Sequence, residues 1–263
     1  MSVTGEFWSY SSEHLVPLPN APEHELSVAD SFLVQEGMVR SLDAHFQRFQ
    51  KSVSDEVTIS QLPGFFAAVR ELLPLAGNWF PRIEYRQGAA IGERLFLQNR
   101  SAPELTETAK LWTFPDPDPR VAPKVKGPDL ALGMQLRRTA NLHGADEAVL
   151  LSPEGFIADG ALSSIMWWRD GVLYAPDDST NWLPSVTREE AFELALQAGF
   201  EIGEERMKPA DLAGAEVWNV SSTQGIRGVI KWGEIPIAQP KLYHSFRKRL
   251  FLLFTPLRNA EAL

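Results

Sequence analysis

KGPDLALGMQLRRTANLHGADEAVLLSPEGFIADG, residues 126–160, sets a lysine ahead of one helical and two extended patterns. Asp129 can cap a helix that runs to about His143, with Leu132, Leu136 and Leu142 among its apolar residues and Gly144 placed to stop it. EAVLLS and FIAD then read as strands parted by the turn Pro153-Glu154-Gly155. SSIMWW and VLYAP follow, divided by Arg169-Asp170-Gly171, and Asp-Gly is a strong hairpin signal. A helix comes next. Thr187 with Glu190 three positions on matches a capping box, and Gly199 closes the run EEAFELALQAG. EVWNVSS (216–222) and IRGVIKW (226–232) read as further strands.

Upstream, Pro115, Pro117, Pro119, Pro123 and Pro128 crowd residues 114–128 and argue against a regular helix or a central strand there. That stretch reads as a linker, so the expected division is an N-terminal lobe over 1–113, a linker over 114–125 and a C-terminal lobe over 126–263. In the first lobe, SFLVQEGMVR has two extended segments around Glu36-Gly37, and Leu42, Phe46 and Phe49 take helical spacing behind a Ser41 cap. A second helix is expected over 64–73, and strands at RIEYR (82–86) and RLFLQN (94–99). Hairpins and helices without repeating βαβ units make the fold class α+β.

The chain has 263 residues and no cysteine, which excludes thiolate metal sites, cysteine nucleophiles and disulfides. No two of its 5 histidines have ligand spacing, so no metal site is expected, and His143 reads as structural. A net charge of −9 argues against nucleic acid as a partner. Residues 241–263 oppose that balance, with five basic side chains against one acidic; they are expected to form a helix that lays Leu250, Leu252 and Phe254 on the body and its charges in water. No signal peptide and no membrane span is legible, so a cytoplasmic protein is expected.

Two places could hold an anion. One is the helix start at Val186 and Thr187, where N–H groups and the helix dipole face outward. The other is VSSTQG (220–225), where Ser222 and Thr223 end an apolar strand. Each alone is as well explained by an ordinary cap or a polar strand end.

Their order along the chain resembles the class IV aminotransferases, the fold type IV pyridoxal-phosphate enzymes that include branched-chain and D-amino-acid aminotransferases and aminodeoxychorismate lyase. GADEAVLLSPEGFIADG, IADGALSSIMWWRDGVLYAP, LPSVTREEAFELALQAGFEIGEE and GAEVWNVSSTQG follow the family's order, and LDAHFQRF (42–49) is similar to its phosphate-arginine helix.

The resemblance implies a two-lobed fold type IV enzyme with pyridoxal 5'-phosphate as cofactor and a homodimer as the assembly. Lys126 takes the place of the Schiff-base lysine, with Lys124 its rival, and becomes the catalytic residue. Asp159 stands where the family has the glutamate that meets the pyridine nitrogen, and Ser164 stands where many members have asparagine. Arg48, Val186, Thr187, Ser222 and Thr223 take the phosphate. The expected reaction moves an amino group between an amino acid and an oxo acid. The alternative is aminodeoxychorismate lyase, which splits aminodeoxychorismate into 4-aminobenzoate and pyruvate. A third reading is a family member that has lost catalysis and keeps only binding. Arg82, Arg86, Arg94, Arg100 and Arg120 are unranked candidates for substrate carboxylates. The adjacent Trp167 and Trp168 fit one core face and one interface face, or a strand covered on both sides.

Overall fold

A computed structural model describes residues 6–258. The chain divides into two compact units. The first takes the chain up to Glu104, Val125–Pro128 and the chain from Leu253 onward; the second takes Leu105–Lys124 and Asp129–Leu252. Lys126 therefore belongs with the N-terminal elements, and residues 114–124 with the C-terminal ones.

In the first unit, β1 (Glu6–Ser11) and β2 (His14–Leu18) form a hairpin whose two linking residues, Ser12 and Glu13, both have positive φ. Short strands β3 (Val28–Ser31), β4 (Val34–Gln35) and β5 (Met38–Arg40) follow. Glu36 and Gly37 turn β4 into β5 at φ 48° and 73°, and a Cβ on Gly37 would stand 2.9 Å from the Leu75 carbonyl oxygen. The helices are α1 (Leu42–Ser52) and α2 (Glu56–Leu72). β6 (Asn78–Trp79), β7 (Arg82–Tyr85) and β8 (Leu95–Asn99) complete a five-stranded sheet of order β2-β1-β8-β7-β3 and, with β17 (Phe254–Pro256), a four-stranded one of order β17-β5-β4-β6. Phe32, Phe49, Leu62, Phe65 and Val69 fill its core.

Two helix starts differ from expectation. Ser41 precedes α1 in the left-handed region and makes no side-chain cap bond. The second helix begins eight residues earlier than its expected start at 64, because Asp55 caps it by accepting the Thr58 N–H at 2.8 Å. Pro63 lies inside that helix on its exposed side, where water can satisfy the carbonyl its missing N–H leaves bare.

The second unit is built on an eight-stranded sheet of order β11-β10-β9-β16-β15-β12-β13-β14. Its strands are β9 (Thr108–Pro117), β10 (Glu147–Leu151), β11 (Ile157–Gly160), β12 (Ser164–Arg169), β13 (Val172–Pro176), β14 (Glu201–Glu205), β15 (Glu216–Ser221) and β16 (Gly225–Trp232). β9 corrects the linker reading, since it is an interior strand that enters the proline-rich stretch. It is paired on both sides only near Leu111, and its register to β10 shifts before Pro117. Pro115 thus falls in the register shift, and Pro117, beyond the pairing to β16, has only Leu151 of β10 as a partner, so both lie where at most one neighbouring strand is paired and prolines are tolerated.

One face of this sheet buries Leu111, Val149, Trp167 and Trp232. On the other, Trp168 packs edge-on against Trp218 and beside Phe246 of α5 (Tyr243–Phe251). Trp167 is 0% and Trp168 6% exposed, so the strand is covered on both sides and the interface face expected of this pair is absent. Helix α3 (Leu130–Leu142) forms where expected and packs on β10, but Asp129 makes no side-chain cap bond and Leu142 is exposed. In α5, Leu250 is buried as expected. Leu252 lies in solvent, Phe254 belongs to β17, and the charge of Arg247 is buried.

Candidate functional site

In the first unit three consecutive residues of β3 organise the chemistry. Ala29 donates its N–H to the Lys126 carbonyl at 2.7 Å, which fixes the main chain of the lysine on the strand. Gly127 makes this approach feasible. At φ 155° its missing Cβ would stand 2.6 Å from the Ser27 carbonyl oxygen and 2.8 Å from the Val28 Cα, so any side chain would push the lysine away. Lys126 is half-buried, whereas its rival Lys124 is exposed and pairs with Asp178 at 3.8 Å.

Asp30, next along β3, is fully buried and takes Arg48 Nε on one oxygen and Nη2 on the other, both at 2.7 Å. His45 Nδ1 stands 2.8 Å from Oδ1, and the Ser31 N–H donates to the same oxygen. Burial alone would raise the Asp30 pKa, but Arg48 and His45 outweigh it and hold the carboxyl well below the usual range. Burial also lowers the His45 pKa against the pull of Asp30. A neutral ring donating from Nδ1 fits those distances.

Ser31, the third residue, accepts Arg100 Nη2 at 3.2 Å. The structure now ranks the arginines. Arg82 and Arg86 both bind Glu84, Arg94 reaches Asp55 at 3.3 Å, and Arg120 is held by Asp118 and Asp159. Arg100 meets only neutral partners, Ser31 and the Phe80 carbonyl, and lies 4.9 Å over the Phe80 ring. Burial, helped by Arg82 and opposed by the Glu84 charge, lowers its pKa to about 10, as expected for a guanidinium with no carboxylate hydrogen-bonded to it among the described residues.

In the second unit, Asp159 is the penultimate residue of β11 and is 2% exposed. It accepts Arg120 Nη1 at 3.2 Å, the Leu183 N–H at 3.0 Å and the Gly160 N–H at 3.1 Å, and Ser164 hydrogen-bonds to it as well. Burial raises its pKa against the opposing Arg120 charge. A carboxylate offers about four lone-pair sites, so another N–H would share an oxygen with one of these donors.

The helix α4 (Val186–Gln197) begins at Val186, ahead of the cap expected at Thr187, and its cap is Ser185, whose hydroxyl accepts the Arg188 N–H at 3.2 Å. The capping box read at Thr187 is not formed. Thr187 lies inside the first turn and is 1% exposed. Arg188 stacks 3.7 Å over Trp182 and pairs with Glu204. Ser222 and Thr223 lie half-buried in the turn that joins β15 to β16, after the pair Ser221 and Gly225.

Behind that turn is a buried chain of polar contacts. Glu147 accepts the Ser163 hydroxyl at 2.9 Å, the Asn219 amide donates to Ser163 Oγ at 2.6 Å, and Arg227 donates to the Asn219 oxygen. His143 stacks on Trp112 at 4.5 Å, which is the structural role expected of it. Among the described residues no group of acids and histidines could hold a metal ion.

Sequence reasoning missed Asp30, Ser31 and Arg227. Asp30 and Ser31 lie in VADS, a stretch too short to show a period, and their partners lie at His45, Arg48 and Arg100. The one local pointer was His45, three residues before Arg48 on α1 and so on the same helix face.

These arrangements have the fold of known pyridoxal-phosphate-site proteins. A T.th. branched-chain amino acid aminotransferase, solved with N-(5'-phosphopyridoxyl)-L-glutamate, superposes at TM-score 0.79 over 97% of this chain and 99% of its own, at 19% identity. A hypothetical aminotransferase of Mycobacterium tuberculosis in its PLP-bound form gives 0.77 over 96% and 100%, at 18% identity. The amino-transferase class IV family model matches residues 27–232, and the chain belongs to that family. By sequence it is 42% identical over 64 residues to the branched-chain-amino-acid aminotransferase of Pseudomonas aeruginosa, a match covering 24% of this chain and 20% of that one. The match to the Escherichia coli enzyme of the same name is 31% over 108 residues, covering 37% and 34%. These matches span between a fifth and about a third of those aminotransferases. Aminodeoxychorismate lyase of Bacillus subtilis is 24% identical over 256 residues, 89% of this chain and 86% of its own.

Proposed function

We propose that this chain is a pyridoxal-phosphate-dependent enzyme that moves an amino group between an amino acid and an oxo acid, with Lys126 as its catalytic residue. The observation that carries the reading is the strand β3, which ties the Lys126 main chain, Arg48 and Arg100 through Ala29, Asp30 and Ser31.

The residues suit the cofactor. The turn at Ser222 and Thr223 offers hydroxyls, and Arg227 behind it keeps a buried Nε without a hydrogen-bond partner, as a site made for an anion would. Bound, pyridoxal phosphate supplies an aldehyde that an amine can condense with and a ring that accepts electrons.

Lys126 Nζ would be the amine that holds the aldehyde and, once freed by a substrate amine, the base that would carry the substrate Cα proton. Arg48, Val186, Thr187, Ser222 and Thr223 hold phosphate oxygens, the helix start through backbone N–H groups. Asp159, backed by Arg120 and Ser164, would be the carboxylate that meets the ring nitrogen. Arg100 orients the substrate carboxylate, since it alone of the ranked arginines lacks an acidic partner.

A second reading is aminodeoxychorismate lyase. The Bacillus subtilis lyase favours it, because that match runs over most of both chains while the aminotransferase matches are short. The two readings share Lys126 and every cofactor contact. We assign the chain to the cytoplasm as a homodimer; no helix of the described residues is long and apolar enough to cross a membrane.

Incubating the purified protein with pyridoxal phosphate should give a visible absorbance band that the Lys126→Ala variant lacks. No band, or an unchanged band in the variant, defeats the enzyme readings. Assaying oxo-acid formation from a panel of L- and D-amino acids beside pyruvate release from aminodeoxychorismate then decides between the two, and sedimentation tests the dimer.

A further inference from the structure

Several buried or half-buried arginines here meet a carboxylate. Arg48 has Asp30, Arg86 has Glu84, Arg120 has Asp118 and Asp159, and Arg188 has Glu204. Two arginines behind the turn from Ser221 to Gly225 do not.

Arg247, on α5, donates from Nη1 to the Gln224 carbonyl at 2.6 Å and to the Ile226 carbonyl at 2.9 Å, so it grips the far limb of the turn. Arg227, the second residue after Gly225 on β16, donates to the Asn219 side chain and at 3.3 Å to the Thr106 hydroxyl. Thr106 in turn donates its N–H to Gln224 Oε1 at 2.8 Å. Each arginine is 8% exposed.

The acids that influence them are occupied elsewhere. Glu147 takes Ser163, Asp146 takes the Lys110 N–H, and Glu107 lies 3.8 Å from His244. None forms an ion pair with Arg227 or Arg247 among the described residues. Burial lowers both pKa values, with no carboxylate close enough to reverse it, and the charges of Arg137 and Arg247 lower the Arg227 value further. Two buried cations with neutral partners, one retaining an unsatisfied Nε, are costly unless an anion completes them.

The helix α5 is itself locked for this task. The Glu216 carboxylate accepts the N–H groups of Lys241, Leu242 and Tyr243 at 2.8 to 3.0 Å, so the helix that carries Arg247 is fixed to β15, the strand leading into the turn. Gly228 allows close packing, since a Cβ there would stand 2.7 Å from Pro240.

We propose that Arg227 and Arg247 are positioning residues that supply the uncompensated positive charge for a dianionic phosphomonoester held by the Ser222–Gln224 turn. Arg48, whose charge Asp30 balances, supplies geometry more than net charge. The proposal rests on the reading that this turn holds the cofactor phosphate, and it adds where the charge comes from. It also gives the basic C-terminal helix a role: α5 delivers one buried cation to the turn.

The test titrates pyridoxal phosphate, phosphate-free pyridoxal and inorganic phosphate separately against the full chain, following tryptophan fluorescence and the visible band. Arg247→Gln and Arg227→Gln should weaken pyridoxal phosphate and inorganic phosphate about tenfold, the loss expected for a charged hydrogen-bonding partner, and leave pyridoxal unchanged. Arg247→Lys, which keeps the charge and the fold if the glutamine variants do not, should recover part of the loss. A merely structural role would lower pyridoxal and pyridoxal phosphate together, with lysine no better than glutamine, and that overturns the proposal. Equal pyridoxal phosphate affinity in the unaltered chain and the variants also overturns it while sparing the functional reading. Failure of the unaltered chain to bind either phosphate probe defeats both.

Discussion

Two buried clusters, one around Asp30 in the first unit and one around Glu147 and Arg227 in the second, handle buried charge in opposite ways. In the first, Asp30 accepts four donor contacts, including both arms of Arg48, and the ion pair is closed within the unit. In the second, Glu147 is buried against a serine, and Arg227 and Arg247 are buried against carbonyls, an amide and a hydroxyl. A closed pair fixes positions at little further cost. Open charges keep their field for a ligand and carry an energetic debt until one arrives.

Breaking the closed pair should have the largest effect. Asp30→Asn leaves Arg48 without its counter-charge, and urea unfolding should report a loss of about 3–5 kcal/mol, the usual consequence of removing one partner of a buried ion pair. Its pH dependence has a definite sign. The Asp30 pKa is depressed in the folded state, so its stabilisation is full above the unfolded value of about 3.9 and drains away as pH falls through the folded value. In Asp30→Asn that acid slope should flatten.

Gly127→Ala comes next. Its Cβ would drive into the Ser27 and Val28 main chain, and a loss of about 1–3 kcal/mol is expected for so strained a backbone. The informative readout is a fall in cofactor affinity alongside the thermal shift, because Lys126 sits immediately before the clash.

Glu147 reverses the Asp30 pattern. Burial raises its pKa, so folding favours the protonated form, and stability falls as pH rises from the unfolded value of about 4.3 toward the folded one. Glu147→Gln keeps an acceptor for Ser163 and should remove a slope of at most about 1.4 kcal/mol per pH unit, measured by chemical unfolding across that range. If both variants flatten the same limb of the stability curve, the contrast between the clusters is wrong.

The smallest effect tests the helix start. Ser185→Ala should cost about 1 kcal/mol through loss of the α4 cap, and removing the Thr187 hydroxyl should not reproduce the loss of that cap bond.

The same contrast explains what could be read from the sequence. The second unit is dense in short-range signals. Asp170-Gly171 turns with both φ positive, Gly144 and Gly199 end helices in the left-handed region, and the strands from Glu147 to Trp232 fall where their apolar runs lie. Its failures came from tertiary override. β9 carries prolines because its last residues lie beyond the pairing to β16 and keep only β10 beside them, and EIGEE becomes a strand only by pairing with β13. In the first unit the site was barely legible, since VADS gains its meaning from partners far along the chain. Lys126 was found by resemblance alone; the Gly127 constraint that fixes it needs the main chain of residues 27 and 28 to be visible.

The most direct test of the central claim is reduction of the cofactor-loaded protein with borohydride followed by peptide mapping. The account predicts one pyridoxyl mass addition, on Lys126. A label on Lys124, on another lysine, or on none would contradict it.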